Sequence, residues 1–164
     1  MIFLPSCGKK IKKENVTPSR PNCAVSASYN GIDCSARINY DETGRMTVEM
    51  LSPIKGMTLS IDDSGCRLGY DGMEIDYTTE QAKGFCPFIG LYSVLKTVCY
   101  TVPESARMSG DSYILKYRTP ETECTAISNK NDGKIREIEA DKIRYIFQSK
   151  PPVQPAVCST PKRG

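Results

Sequence analysis

No histidine and no tryptophan occur in the 164 residues, and each absence removes a class of function. Without imidazole, Ser-His-Asp and Cys-His catalysis lose their usual base. Zinc sites are restricted to all-cysteine or carboxylate versions. No apolar run of about 20 residues is present, so no stretch reads as a membrane-crossing helix. The net charge of +3 is small and dispersed. Nucleic acid is therefore not an expected partner, because neutralising many phosphates takes clustered Lys and Arg with stacking aromatics nearby. Only Lys9, Lys10, Lys12 and Lys13 form a tight basic cluster.

What the chain does have is ordinary for a folded domain. It is 39% hydrophobic and 25% charged, enough to bury a core. Its length suits one domain of about 100–150 residues with unstructured flanks. The eight cysteines are Cys7, Cys23, Cys34, Cys66, Cys86, Cys99, Cys124 and Cys158, separated by 11 to 34 residues with no C-x-x-C pair. That spacing weakens both zinc and dithiol redox readings. A disulfide set in an exported protein stays open, while most of these residues read as small buried hydrophobes. Cys34 and Cys66, for instance, fall on the apolar side of alternating runs.

Leu4-Pro5-Ser6-Cys7 resembles the end of a bacterial lipoprotein signal, with Cys7 as the lipidation site. The apolar stretch before it is shorter than the 7–15 residues an export signal uses. Residues 8–22 are polar, basic and broken by Pro18 and Pro21, a composition that cannot bury enough apolar area to fold alone. Extended, this tether would reach roughly 45–50 Å, and its lysines would suit anionic headgroups beside a lipid anchor. At the other end, residues 150–164 contain Pro151, Pro152, Pro155 and Pro161 and read as a disordered tail.

Between these ends the apolar residues recur every second position, the signature of strands with one buried face. Cys34, Ala36, Ile38 and Tyr40 share one side, then Met46, Val48 and Met50, then Met57, Leu59 and Ile61. Cys66, Leu68 and Tyr70 follow, and Asp71-Gly72 leads into Met73, Ile75 and Tyr77. An Asp-Gly pair between two alternating runs is a strong hairpin signal. Cys23, Val25, Ala27 and Tyr29 add a strand in front. The period then changes: Pro87 opens a run in which Phe88, Leu91, Tyr92, Leu95 and Val98 form one helical stripe over residues 87–98. Residues 103–112 read as a loop, and strands resume at 113–118, 123–128 and 143–148, with a short one at 135–138. The expected class is α+β, a curved antiparallel sheet forming an unclosed β-barrel with one or two covering helices.

Ser52-Pro53-Ile54-Lys55-Gly56-Met57 and Leu68-Gly69-Tyr70-Asp71-Gly72-Met73 resemble the core of the LolA-like lipoprotein-carrier superfamily. They are most similar to small envelope lipoproteins of Gram-positive bacteria. Gly110 to Tyr117 and Glu121 to Ser128 are similar to the family's closing strands. The likeness spans roughly residues 22–148. It implies an unclosed barrel, capped by helices, that holds an acyl chain or another greasy ligand. It assigns no individual ligand-binding residue. The absence of Trp and the lipidation signal both depart from soluble carriers and favour an anchored relative.

The alternation itself nominates an apolar lining: Met46, Val48, Met50, Met57, Leu59, Ile61, Leu68, Tyr70, Met73, Ile75, Phe88 and Leu91. Methionine suits surfaces that accept variable apolar partners, and ligand pockets are lined mostly by such side chains. An ordinary filled core accounts for the same pattern. Asp62, Asp63 and Asp71 fall in tight turns, where Asp is favoured for its local hydrogen bonds rather than for acid–base work. The expectation is a tethered, monomeric, non-enzymatic domain on the outer side of the cell membrane. It binds a lipid, a lipoprotein or another apolar ligand without a cofactor, in a domain over 23–149 preceded by the tether over 1–22. The other open reading is an envelope domain that contacts or senses a protein and carries no small-molecule cargo.

Overall fold

The structure, a computed structural model, describes residues 9–13, 16–120 and 122–148. Two antiparallel meanders make up one 12-stranded sheet. The first comprises β2 (Asn22–Tyr29), β3 (Ile32–Tyr40), β4 (Met46–Ser52), β5 (Thr58–Asp62), β6 (Gly65–Tyr70) and β7 (Met73–Tyr77). The second comprises β8 (Ser105–Ser109), β9 (Ser112–Arg118), β10 (Glu123–Asn129), β11 (Ile135–Ala140) and β12 (Ile143–Gln148). Between them lie α1 (Thr79–Ala82) and α2 (Pro87–Tyr100). The meanders join where β12 pairs antiparallel with β2. A two-residue strand, β1 (Lys9–Lys10), pairs with β8, so β1 and β7 are the two open edges.

The sheet curves because it encloses α2. An amphipathic surface helix buries one stripe, but α2 buries Phe88, Ile89, Leu91, Tyr92, Val94, Leu95, Val98 and Cys99, which face several directions. Hydrogen bonds tie it to both halves of the sheet. Tyr117 Oη donates to Val98 O at 3.2 Å, and Tyr145 Oη donates to Pro87 O at 2.9 Å. On the other flank Tyr92 Oη reaches Gly44 O at 3.2 Å and Asp63 Oδ1 at 2.9 Å. The core is one cluster, with strand residues such as Ile38, Met46, Leu59, Leu115 and Ile138 around the helix.

Polar residues alternate outward and pair across strands. Arg37–Glu49, Arg67–Asp76 and Arg118–Glu123 are direct register partners joined by ion pairs of 2.9, 2.7 and 2.9 Å. Exposed pairs of this kind are screened by water and add little to stability. Their larger effect is to fix register, since a slip of one residue would turn every apolar side chain outward.

Three segments depart from the sequence-based expectation. Residues 103–112 are not a loop: Ser105–Ser109 is β8, joined to β9 by the two residues Gly110 and Asp111, with Gly110 at φ 58°. The short strand at 135–138 extends to Ala140. The described part of the basic tether is folded back on the domain. Lys9 and Lys10 pair with Met108 and Arg107, Val16 is buried in the core, and Ser19 N–H donates to Gly133 O at 2.9 Å. Val16 and Ile11 supply apolar contacts that a composition argument averages away. Cys7 and the tail over 150–164 lie outside the described residues.

Candidate binding face

The twelve nominated apolar residues separate into two groups. Met46, Val48, Met50, Met57, Leu59, Ile61, Phe88 and Leu91 are buried, packed in the cluster that holds α2. Their alternation is that of a filled core, because the helix occupies the concave side where a guest was expected. Leu68 is partly buried against that cluster. Tyr70, Met73 and Ile75 are open to solvent at 45%, 64% and 48%. The structure does not bring these three to the interior.

These exposed residues belong to the inner face all the same. Ile61 pairs with Cys66 and Leu59 with Leu68, which sets the inward parity of β6. Cys66 pairs with Tyr77, Leu68 with Ile75, and Tyr70 with Met73, which carries that parity to β7. The concave apolar surface therefore continues past the helix onto the β6–β7 hairpin, where nothing among the described residues covers it. Phe85, itself half exposed, packs edge-on against Tyr77 with ring centroids 5.1 Å apart and lengthens the row. The hairpin turns at Asp71 (φ 50°) and Gly72 (φ 77°), both left-handed as a type I′ turn requires. An Asp-Gly pair is the residue choice that tolerates this, and it holds the two strands in register to their tips.

Other concavities mix charged and hydroxyl side chains with apolar surface. A depression of about 360 Å³ on the outer face is bounded by Arg37, Glu49, Thr58, Arg67 and Glu74. Gly69 keeps its floor open, since a Cβ there would lie 2.7 Å from Thr58 Oγ1. At the mouth of the half-barrel, a cavity of about 610 Å³ is lined by Tyr40, Tyr92, Tyr100, Asp62, Asp63 and Lys96. Tyr40 packs edge-on against both Tyr92 and Tyr100, at 6.2 and 6.1 Å.

The carboxylates at that mouth are engaged locally. Asp62 Oδ1 accepts from Ser64 N–H at 2.9 Å and from the Ser64 hydroxyl. Asp63 Oδ1 accepts from Lys96 Nζ at 2.6 Å and from Tyr92 Oη. The hydrogen bond from Lys96, and next that from Tyr92, hold the Asp63 carboxyl below its usual range. The Tyr92 hydroxyl is pushed upward by burial first, then by Asp63. The contact from Tyr92 to Asp63 is a hydrogen bond to a charged group, and it ties α2 to the turn between β5 and β6. Among the described residues, no three His, Cys, Asp or Glu side chains converge as a metal set.

Sequence reasoning put Leu68, Tyr70, Met73 and Ile75 in one continuous apolar lining with Met46 and Leu59. The signal it lacked was coverage: a run with period two states which residues share a side, not whether anything lies on it. Compared with known proteins, the sequence matches no family model and no curated protein.

Proposed function

We propose that the chain is a non-enzymatic binding domain of the cell envelope that takes an apolar partner on the open face of β6 and β7. The observation that supports this most is the exposure of Tyr70, Met73 and Ile75 beside the half-covered Leu68. Scattered apolar residues on a surface need no explanation, but a contiguous row does. Met73 and Tyr70 also bring the adaptable and the amphipathic side chains that recur at binding surfaces. An acyl chain or the apolar part of a larger molecule would lie along the row and extend the core outward. In this reading Cys7 carries the lipid that holds the domain at the membrane, with the basic residues from Lys9 to Lys13 close to the headgroups. The short strand β1 then brings the β8 edge near the anchor and leaves β7 as the free edge.

The test is binding of a solvatochromic alkyl dye to the purified domain. The wild type should bind with a blue shift. The double substitution Met73→Glu and Ile75→Glu should weaken binding at least tenfold without altering the far-UV circular dichroism. Arg37→Ala, on the outer face, should bind as the wild type does. Equal dye affinity for the double variant would refute the assignment of this face. In a second arm, Cys7→Ala in the expressed full chain should move the protein out of the membrane fraction; continued membrane association would remove the anchor from the account.

A further inference from the structure

The face just described ends at a strand whose outer side is paired with nothing among the described residues. We infer that β7 is a docking edge for an extended polypeptide segment that joins the sheet as a further strand, with apolar residues alternating with basic ones. This rests on the assignment of the β6–β7 face as the binding surface, and it names the partner's chemistry.

Hairpin geometry decides which backbone groups β7 offers. In a two-residue hairpin the residues flanking the loop exchange hydrogen bonds, and bonded and non-bonded pairs alternate from there. Tyr70 and Met73 flank the loop, so Leu68–Ile75 and Cys66–Tyr77 are the next bonded pairs. The backbone groups of Met73, Ile75 and Tyr77 are therefore used within the hairpin. Those of Glu74 and Asp76 point away from it, each with one N–H and one C=O. Native sheets blunt such edges with charged side chains, Lys above all, or with Pro, bulges or a covering segment. The opposite edge follows that rule, because β1 covers β8 with a lysine pair. Met73–Tyr77 has no Lys and no Pro, its ladder with β6 runs without a register shift, and its two charges are both acidic, so they guard against acidic strands and not basic ones.

Side-chain parity then selects the occupant. A strand laid beside β7 places its residues alternately over Met73, Ile75 and Tyr77 on the inner face and over Glu74 and Asp76 on the outer. The inner positions call for apolar side chains. The outer positions call for basic ones, Glu74 above all and Asp76 beside its Arg67 partner, since opposite charges across a strand pair attract and like charges repel. A second copy of this chain is a poor occupant for the same reason. Antiparallel pairing of β7 with itself, centred on Glu74, Ile75 or Asp76, sets acid against acid. Strand addition of this kind takes affinity from main-chain hydrogen bonds and specificity from alternate side chains.

The probe is a capped heptapeptide alternating lysine with valine or isoleucine, followed by fluorescence anisotropy and amide hydrogen exchange of the purified domain. An isomer with its lysines in one block serves as control. The alternating peptide should bind at least tenfold more tightly than the blocked one and slow exchange at the Glu74 and Asp76 amides. Glu74→Pro removes an N–H that the hairpin does not use, at a position where edge strands tolerate proline. It should weaken peptide binding tenfold or more while leaving the alkyl dye bound as before. Glu74→Gln should lose only a few-fold.

Unchanged exchange at Glu74 and Asp76 in the peptide-bound wild type would overturn strand addition, whatever the fate of the proline variant. Equal binding of the two peptides would overturn it as well. Dye binding that still depends on Met73 and Ile75 would then leave the apolar face in place, with a lipid or acyl chain as its partner. Loss of that dependence would remove both.

Discussion

Cys34, Cys66, Cys86, Cys99 and Cys124 are buried, and Cys23 is half-buried. Their thiols fill space as small hydrophobes and are held uncharged. Burial pushes Cys66 and Cys124 up to about 11 and Cys99 up to about 12, from an ordinary value of 9.0. The hydroxyls of Tyr40, Tyr117 and Tyr145 move in the same direction for the same first cause. For an acid whose folded value is raised, the unfolded chain loses its proton first as pH rises. It then binds fewer protons than the folded chain, and stability falls with pH. That contribution is complete below pH 9 and is lost progressively between 9 and about 12. The midpoint of urea unfolding should therefore decline steadily above pH 9. A midpoint that holds level from pH 8 to 11 would show that these groups are not buried as described. The cysteines were legible in the sequence as apolar positions, since Cys34 and Cys66 take their place in the alternation.

At the scale of elements, legibility followed the strength of the period. The strands from Cys23 to Tyr77 and the helix at Pro87 carry unambiguous patterns, and all are present. Ser105–Ser109 was missed because Ser, Ala, Arg and Met are weak strand formers and Pro103 sits just before them. Its turn was nonetheless written in the sequence, as a glycine opening a two-residue loop. The described N-terminal residues were hidden by averaging, because the buried Val16 outweighs the exposed Lys12 and Lys13.

The β6–β7 hairpin shows how narrow such tolerances are. Gly65 stands at φ 154°, and a Cβ there would meet the Tyr77 carbonyl oxygen at 2.6 Å. That oxygen is backbone of the neighbouring strand and cannot rotate aside. Gly65→Ala should destabilise the domain by about 1–3 kcal/mol, as overpacking does, seen as a lowered urea midpoint at constant slope. It should also weaken dye binding by shifting β7. Wild-type stability in this variant would mean that the two strands approach less closely than the structure shows.

For the molecule as a whole, the distribution of coverage decides what it can do. A curved sheet needs something on its concave side, and the sequence left open whether that was a guest or the chain's own helix. The answer depended on α2 being apolar on several faces, a property that a single stripe at Phe88, Leu91, Tyr92, Leu95 and Val98 understates. The helix fills the space inside β2–β5 and β9–β12, tied by Tyr92, Tyr117 and Tyr145. Only the far hairpin extends beyond it. The candidate site is thus a remainder, the part of an apolar face that its own core does not use, and no local pattern distinguishes Met73 from Met46.

Photolabelling with an alkyl diazirine, mapped to residues by peptide mass spectrometry, tests this division most directly. The label should fall on Leu68, Tyr70, Met73, Ile75 and Phe85, and Met46, Met50 and Leu59 should stay unlabelled beneath α2. Label concentrated on Met46, Met50 and Leu59 would contradict it, because the helix would then be yielding its place to the ligand.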